Sequence, residues 1–409
     1  MKNISTLLLV ASQFFSVIGS SLGQFLILLY ILDHSHSATS FGTSMAVISL
    51  GRLLALPFGG VLADRFNQKK SMLLLDTCYL FLTIVLIFFM DISTHYGGLF
   101  LIIFVLGMLS AFETPVVQAV LPKLAQGDSL IKVNSMISAI GHLGIILAPV
   151  MGGSFYGVFT MKINLFICCT LFVFALSCEA LLKIESENVK QQQSSVIQMV
   201  RNDLKEAANY LSAKKIILQV TLCATVLNLL IGSMIQTLIP YIARVYLGVG
   251  NIEYSILNIN FGLGSLLGAI IYGAWSKKLA RKNLWFLLFL SGICMMVVSY
   301  ALMQRLSPTN SFWIMNGAIS LTLIMFSMIS VHLMSYVQVK SQPELIGRVM
   351  SFVFFLSMLM TPVGQSLYGW LAETINAQSL YILVLIVGII TILLSILIKP
   401  LMKKIRMSV

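Results

Sequence analysis

Along this chain the polar positions come in short clusters and the apolar positions in long unbroken runs. The runs do not alternate with polar residues, so they are not strands with one wet face. Most are close to or above the ~20 residues a helix needs to cross ~30 Å of hydrocarbon. At that depth no water is present, and backbone groups must be paired within the segment, so the pattern predicts helices. It predicts twelve spans, at 7–32, 39–63, 71–91, 97–121, 133–158, 162–183, 215–243, 252–275, 284–304, 311–335, 347–373 and 378–399. An even number places both termini on one side. The first run, Leu7 to Leu32, is too long for a signal h-region, so no cleavable leader is expected.

Composition agrees. Of 409 residues, 58% are hydrophobic and 10% charged, where an ordinary soluble domain carries roughly a quarter charged. Such a chain cannot clothe a soluble surface. That excludes a soluble enzyme, a secreted disulfide scaffold and a disordered chain, and leaves an all-α membrane protein with the lipid bilayer as its main partner. The six cysteines (Cys78, Cys168, Cys169, Cys178, Cys223, Cys294) lie inside apolar runs, with no metal-ligand spacing.

The net charge of +12 would suggest nucleic acid in a soluble protein. Placed on the spans, the cations tell another story. Lys2, Arg65, Lys69, Lys70, Lys123, Lys132, the cluster from Lys183 to Lys215, Lys277 to Lys282, Lys340, Arg348 and Lys399 to Arg406 fall on one side. Lys162, Arg244 and Arg305 fall on the other, and Arg52 sits inside a span. The positive-inside rule makes the crowded side, and both termini, cytoplasmic. The basic balance then needs no nucleic acid.

The longest polar stretch, 184–214, starts as a Gln/Ser-rich linker and continues as an amphipathic helix, with Val196, Val200, Leu204, Ala208 and Leu211 on one stripe. The expected organisation is a six-helix bundle over 1–183, a cytoplasmic linker over 184–214 and a second six-helix bundle over 215–409. The halves repeat. At an offset of 213, Gly51 falls on Gly264, Gly60 on Gly273, Lys69 on Lys282 and Pro149 on Pro362. Like-oriented halves imply a pseudo-twofold axis along the membrane normal, an arrangement common among transporters.

Ionisable residues in lipid cost at least ~2.5 kcal/mol at mid-bilayer and usually mark function. Arg52 lies twelve residues before Asp64, ~18 Å deep at 1.5 Å per residue, and Glu113 lies nine residues before Pro122, ~14 Å deep. The two are expected to communicate in a central cavity, with Glu113 as proton carrier; a fixed structural pair is the plain alternative. Asp76, ~9 Å in, reads as a helix residue tied to the neighbouring loop rather than a proton site. Glu179, near the end of its helix, reads as able to snorkel. Asp33, His34 and His36 read as a solvated outer turn. His142 and His332 read as satisfied interior histidines. Gln24, Asn228, Gln236 and Tyr336, polar positions within spans, are candidates to line the cavity.

The loop after the second span reads Gly60-Val-Leu-Ala-Asp64-Arg65-Phe-Asn67-Gln-Lys69-Lys70. It resembles the signature of the major facilitator superfamily, whose fold of two pseudo-symmetric six-helix bundles it implies. Asn67 stands where that family usually has Gly, and Asn tolerates a left-handed turn better than most residues. By resemblance, Gly60, Asp64, Arg65, Lys69 and Lys70 act as a cytoplasmic latch between the halves; a topogenic loop is the alternative. The second-half copy has Lys277 at the position of Asp64. Gly141, Gly144, Ala148-Pro149 and Gly152-Gly153 resemble the family's antiporter motif, with Ala148 for its first Gly; generic small-residue packing is the alternative. Phe112-Glu-Thr-Pro115-Val-Val-Gln118-Ala119-Val-Leu-Pro122, then Asn134-Ser135, resembles the branch holding macrolide-efflux proteins and enterobactin exporters, with lysophospholipid flippases nearby.

The resemblance implies a transporter of a small molecule, not an enzyme, in the cytoplasmic membrane and monomeric. No phosphate-binding Gly-x-x-x-x-Gly-Lys-Ser/Thr loop occurs, so the expected energy source is a proton gradient, with no cofactor and no metal. Efflux of an amphipathic or apolar molecule, such as a macrolide, is the leading expectation. An exporter of a metabolite, siderophore or lipid, and a uniporter or importer on the same fold, stay open. A polytopic membrane enzyme would need a clustered catalytic set, which is not evident.

Overall fold

The computed structural model describes residues 2–65, 67–92, 97–124, 128–183, 196–275, 284–304, 306–341, 346–375 and 379–405. Among the described residues no strand occurs, and 12 helices are long and apolar enough to cross a membrane. The first six are α1 (Lys2–Ser35), α2 (Ala38–Arg65), α3 (Gln68–Ile92), α4 (Gly97–Leu124), α5 (Asp128–Tyr156) and α6 (Met161–Leu181). The amphipathic stretch forms α7 (Val196–Ala213), burying Val200 and Leu211 and exposing Arg201, Lys205 and Glu206. Then come α8 (Lys215–Tyr246), α9 (Asn251–Ala274), α10 (Trp285–Met303), α11 (Pro308–Lys340), α12 (Ile346–Leu359), α13 (Thr361–Thr374), α14 (Leu380–Leu397) and the short α15 (Lys399–Lys404).

Irregularities in the helices have visible causes. Pro57 and Pro149 sit inside α2 and α5, where proline removes a backbone donor and bends the helix. In α8, two π turns occur, at Asn228–Gly232 and Ile242–Tyr246, the second just after Pro240. The Ser233 hydroxyl donates to the Asn228 carbonyl (3.0 Å) and to the Thr361 carbonyl (3.1 Å), taking up acceptors at the first π turn and at the start of α13. α12 and α13 form one span broken at Met360, ahead of Pro362.

The chain gathers into two compact units, Met1–Tyr30 with Val47–Arg201, and Ile31–Ala46 with Asn202–Val409. The turn between α1 and α2 therefore belongs with the second unit.

In the first unit, glycines set the closest helix crossings. A Cβ on Gly51 would collide with the Phe104 carbonyl, and one on Gly107 with the Ile48 carbonyl, so α2 and α4 touch backbone to backbone. Gly144 and Gly152 admit side chains of α1, Val17 with Ser21 and Phe25 with Leu22 respectively. α3 lies on α6, with Tyr79 stacked on Phe172 at 5.4 Å.

The second unit repeats part of this scheme. Gly264 meets Leu323 and Ser320, and Gly268 meets Ile324 and Ser327, where α9 crosses α11. Gly51 and Gly264 thus serve the same crossing in their halves, second helix against fourth. Gly273 meets nothing within 4 Å, so its match to Gly60 carries no packing role. Gly292 and Gly388 bring α10 against α14, and Gly364 receives Ser233 of α8.

Gly152→Val would force a branched side chain into the Phe25 ring, and overpacking of this kind costs about 1–3 kcal/mol. Gly141 has no neighbour within 4 Å; Gly141→Ala should be neutral or stabilising by up to ~1 kcal/mol. Thermal unfolding of the two variants in detergent checks this, with a lowered midpoint expected for Gly152→Val alone.

Candidate functional site

The ionisable side chains of the first unit gather where α1, α2, α3, α4 and α6 meet. On α3, Asp76 and Tyr79 lie one turn apart and share a face. α1 supplies Ser16, whose hydroxyl donates to Asp76 Oδ1 at 2.6 Å and reaches Glu113 Oε1 of α4 at 3.4 Å. α6 supplies Glu179, within hydrogen-bonding reach of Asp76 and close enough to Lys69 to feel its charge. Asp76 is 3% exposed and Glu179 1%, whereas Glu113 keeps partial exposure. Asp76 Oδ2, Glu179 Oε2 and the Tyr79 hydroxyl are buried without a hydrogen-bond partner.

Arg52 and Glu113 come close enough to interact electrostatically, as their depths predict. They do not form an ion pair; Arg52 Nε donates instead to Ser110 Oγ at 3.2 Å, across the α2–α4 crossing. A small cavity, about 10 Å³ and so roughly the size of one water, lies beside this cluster among Ser20, Gln24, Tyr79 and Thr83. Gln24 thus borders a small, partly open cavity in the first unit.

Three sequence readings are corrected here. Asp76 is not tied to the loop; it points into the bundle and bonds Ser16. Glu179 does not snorkel, because Asp76 and Lys69 hold it inside. Asn67 does not take a left-handed turn; its side chain accepts the Lys70 N–H at 3.1 Å and caps α3. Lys69 is likewise spent locally. Its ammonium donates to the carbonyls of Ala180 (2.8 Å) and Leu182 (2.7 Å), at the negative end of the α6 dipole. Lys70 is exposed. The side chains of Asp64, Arg65 and His142, like the surroundings of Gly60, lie outside the described residues, as does Lys277 altogether.

In the second unit, Asn228 donates to the Ser357 carbonyl at 3.0 Å and so braces the first π turn against α12. Gln236 is exposed and accepts from Gln365 at 3.1 Å. Tyr336, 6% exposed, is part of the apolar core rather than a cavity wall, a further correction. His332 is satisfied by the Tyr272 hydroxyl at 2.8 Å. Among the described residues no group of His, Cys, Asp and Glu could hold a metal ion.

The second unit also contains ties that the sequence did not suggest. Asp33 is not solvated but held by Arg244 in a two-pronged pair, Nε to Oδ1 at 2.6 Å and Nη2 to Oδ2 at 2.7 Å. Glu373 of α13 accepts from Ser37 Oγ at 2.8 Å and from the Thr39 N–H at 3.0 Å, a carboxylate at the positive end of α2. Gly42 and Gly369 let the same two helices touch. One signal was available: Arg244 is among the few cations on its side of the membrane, and Asp33 falls on that side too.

Twelve candidate spans, a repeated glycine crossing and ionisable groups buried inside the helix bundle fit a polytopic membrane transporter. The chain belongs to the Major Facilitator Superfamily, whose family profile matches residues 9–365. The family and the relatives below are transporters, not enzymes. Macrolide efflux protein A of Streptococcus pyogenes is 27% identical over 380 residues, 91% of this chain and 90% of that protein. The lysophospholipid transporter LplT of Photorhabdus laumondii is 25% identical over 275 residues, 67% of this chain and 66% of that one. The crystal structure of the nucleoside transporter NupG superposes with a TM-score of 0.73 at 14% identity, covering 95% of this chain and 99% of that one. That last likeness speaks to the fold. The protein is a multi-pass membrane transporter of the major facilitator fold.

The Asp33–Arg244 pair is partly buried, with 21% and 16% side-chain exposure. Losing a hydrogen bond to a charged group there should cost about 1.5–3 kcal/mol. Asp33→Ala and Arg244→Ala should each lower the thermal midpoint, the double variant by less than the sum. Arg244→Lys should recover little, since the bidentate fork is lost.

Proposed function

We propose that this protein exports amphipathic small molecules of the macrolide type from the cytoplasm in exchange for protons, by alternating access. In this reading both termini are cytoplasmic, following the cation distribution, and the protein works as a monomer. Glu113 is the proton carrier, and its position is the observation that carries the proposal. A carboxyl in the middle of a span, partly exposed and fed by Ser16, has both a source of protons and access for a competitor. The similarity to macrolide efflux protein A over most of both chains supports the substrate class.

The cycle follows from charge. A protonated Glu113 leaves Arg52 on Ser110, as found here. Loss of that proton creates an anion that attracts Arg52 or a cationic substrate, and only one can occupy it. A bound substrate therefore expels the proton, and an entering proton expels the substrate. Gly144 and Gly152, on the helix that also carries Gly141, Pro149 and Gly153, keep α5 tight on α1; in this reading that contact closes a leak path beside the carrier. The last turns of α2, bearing Gly60, Asp64 and Arg65, keep their latch role on the strength of their sequence, with Lys69 just beyond them bonded to the end of α6.

A lipid carrier is the second reading. It is favoured by the relative LplT and by an apolar groove of about 450 Å³ among α8, α14 and α15, with Lys404 at its edge.

Erythromycin uptake into inside-out proteoliposomes under an imposed proton gradient tests the main reading. Wild-type protein should concentrate the drug, and Glu113→Gln should lose at least about tenfold in rate, as expected for removing a proton-transferring group. Full gradient-driven transport by Glu113→Gln overturns the carrier role. Lysophospholipid movement without erythromycin uptake transfers the case to the second reading.

A further inference from the structure

Asp76, Glu179 and Tyr79 take no part in the cycle above, yet all three are buried, each 3% exposed or less. Asp76 is bonded to Ser16, and Ser16 reaches Glu113. Asp76 and Glu179 lie within hydrogen-bonding reach of each other, and each retains one buried oxygen that no donor satisfies. Two carboxyls in that relation complete their hydrogen bonds by sharing a proton. Glu179 ends the series two residues before the end of α6, where Lys69 donates to the Ala180 and Leu182 carbonyls. Counting along the helices from the Lys69 side, Glu179 is shallowest, Asp76 is ~9 Å in and Glu113 ~14 Å in. The groups therefore form a graded series rather than a patch.

Independent of the carboxyls, the Tyr79 hydroxyl is 1% exposed, has no hydrogen-bond partner and lies in electrostatic range of Glu113, Asp76 and Arg52. A buried hydroxyl left without a partner is costly, and beside it lies the small cavity, with room for about one water. Among the described residues, the charged and titratable groups facing the series are Arg52 from α2, Lys69 and Tyr79 from α3, Glu113 from α4 and Glu179 from α6. α1 contributes Ser16. At the positions 213 residues on, the second half has Leu229 for Ser16, Phe289 for Asp76, Phe326 for Glu113 and Ile392 for Glu179. A purely structural brace would not need to be confined to one half.

We infer that Ser16, Asp76 and Glu179 form a relay that carries the coupling proton between Glu113 and the Lys69 end of α6, through the interior of the first unit and apart from the substrate path. The inference rests on the reading of Glu113 as carrier. In one passage, the Glu113 O–H bond breaks and its proton joins Ser16 Oγ, while the hydrogen already on Ser16 passes to Asp76 Oδ1. Asp76 and Glu179 now hold one proton more than before, and Glu179 releases one to water at the end of α6. Ser16 ends with one hydrogen, as it began, and turns to reset. Glu113 has lost a proton and water has gained one. Tyr79 steadies the charge on the carboxyls as the proton moves.

The test joins infrared spectroscopy with transport, on full-length protein. In wild-type protein, a protonated-carboxyl C=O band from the shared pair should shift on transfer to D₂O, and either Asp76→Asn or Glu179→Gln should remove it. Gradient-driven erythromycin uptake should fall at least about tenfold in Ser16→Ala, Asp76→Asn and Glu179→Gln, with Ser16→Thr restoring it. Erythromycin counterflow at equal pH, which needs no net proton movement, should stay within about twofold of wild type in Asp76→Asn and Glu179→Gln, far less than the loss of a proton-transfer step. Absence of the band in wild-type protein overturns the relay. So does a parallel loss of counterflow and thermal stability in all three variants, the mark of a structural brace. If Glu113→Gln abolishes coupling while the three variants keep it, the relay fails and the carrier stands. If Glu113→Gln keeps coupling, the carrier reading itself fails, and the relay with it.

Discussion

A carboxyl group inside a bundle of apolar helices has no water to turn to, so it must find donors or keep a proton. That constraint organises the first unit. Ser16, Asp76, Glu113 and Glu179 come from four helices and meet because each is the others' best substitute for water. The helices can approach closely enough for this because glycines sit at their crossings. Gly51 and Gly107 bring α2 onto α4, placing Arg52 within reach of Ser110. The same absence of water dictates helices in the first place, since no other open backbone satisfies itself in lipid.

The two halves share a packing scheme and differ in chemistry. Gly51 and Gly264 hold equivalent crossings, but the acidic series occurs in the first half alone. In the second, the polar work is mainly structural. Asn228 and Ser233 support the π turn of α8, and Arg244 and Glu373 hold the outer turn between α1 and α2. Duplication supplied a scaffold, and one copy carries the proton chemistry proposed for the pair.

What could be read from the sequence depended on whether the information was one-dimensional. Twelve spans and the amphipathic α7 follow from counting along the chain, and each appears in the structure. Direction around a helix does not follow from counting. Asp76 is one example: its azimuth turns it onto Ser16 instead of the loop. Glu179 has a helix-end position that permits snorkelling, and only its neighbours Asp76 and Lys69 reveal why it stays inside. Asp33 and Arg244, 211 residues apart, meet through tertiary packing that no local pattern encodes. Tyr336 carries a polar tip, yet its ring is absorbed by the core.

The central claim is that Glu113 surrenders its proton when substrate binds. Purified protein in weak buffer with a pH-indicator dye reads this directly as erythromycin is added. Wild-type protein should acidify the solution in proportion to the drug it binds, and Glu113→Gln should bind erythromycin with no acidification. Equal proton release from the two proteins, or drug binding by the wild type with none, would contradict the account.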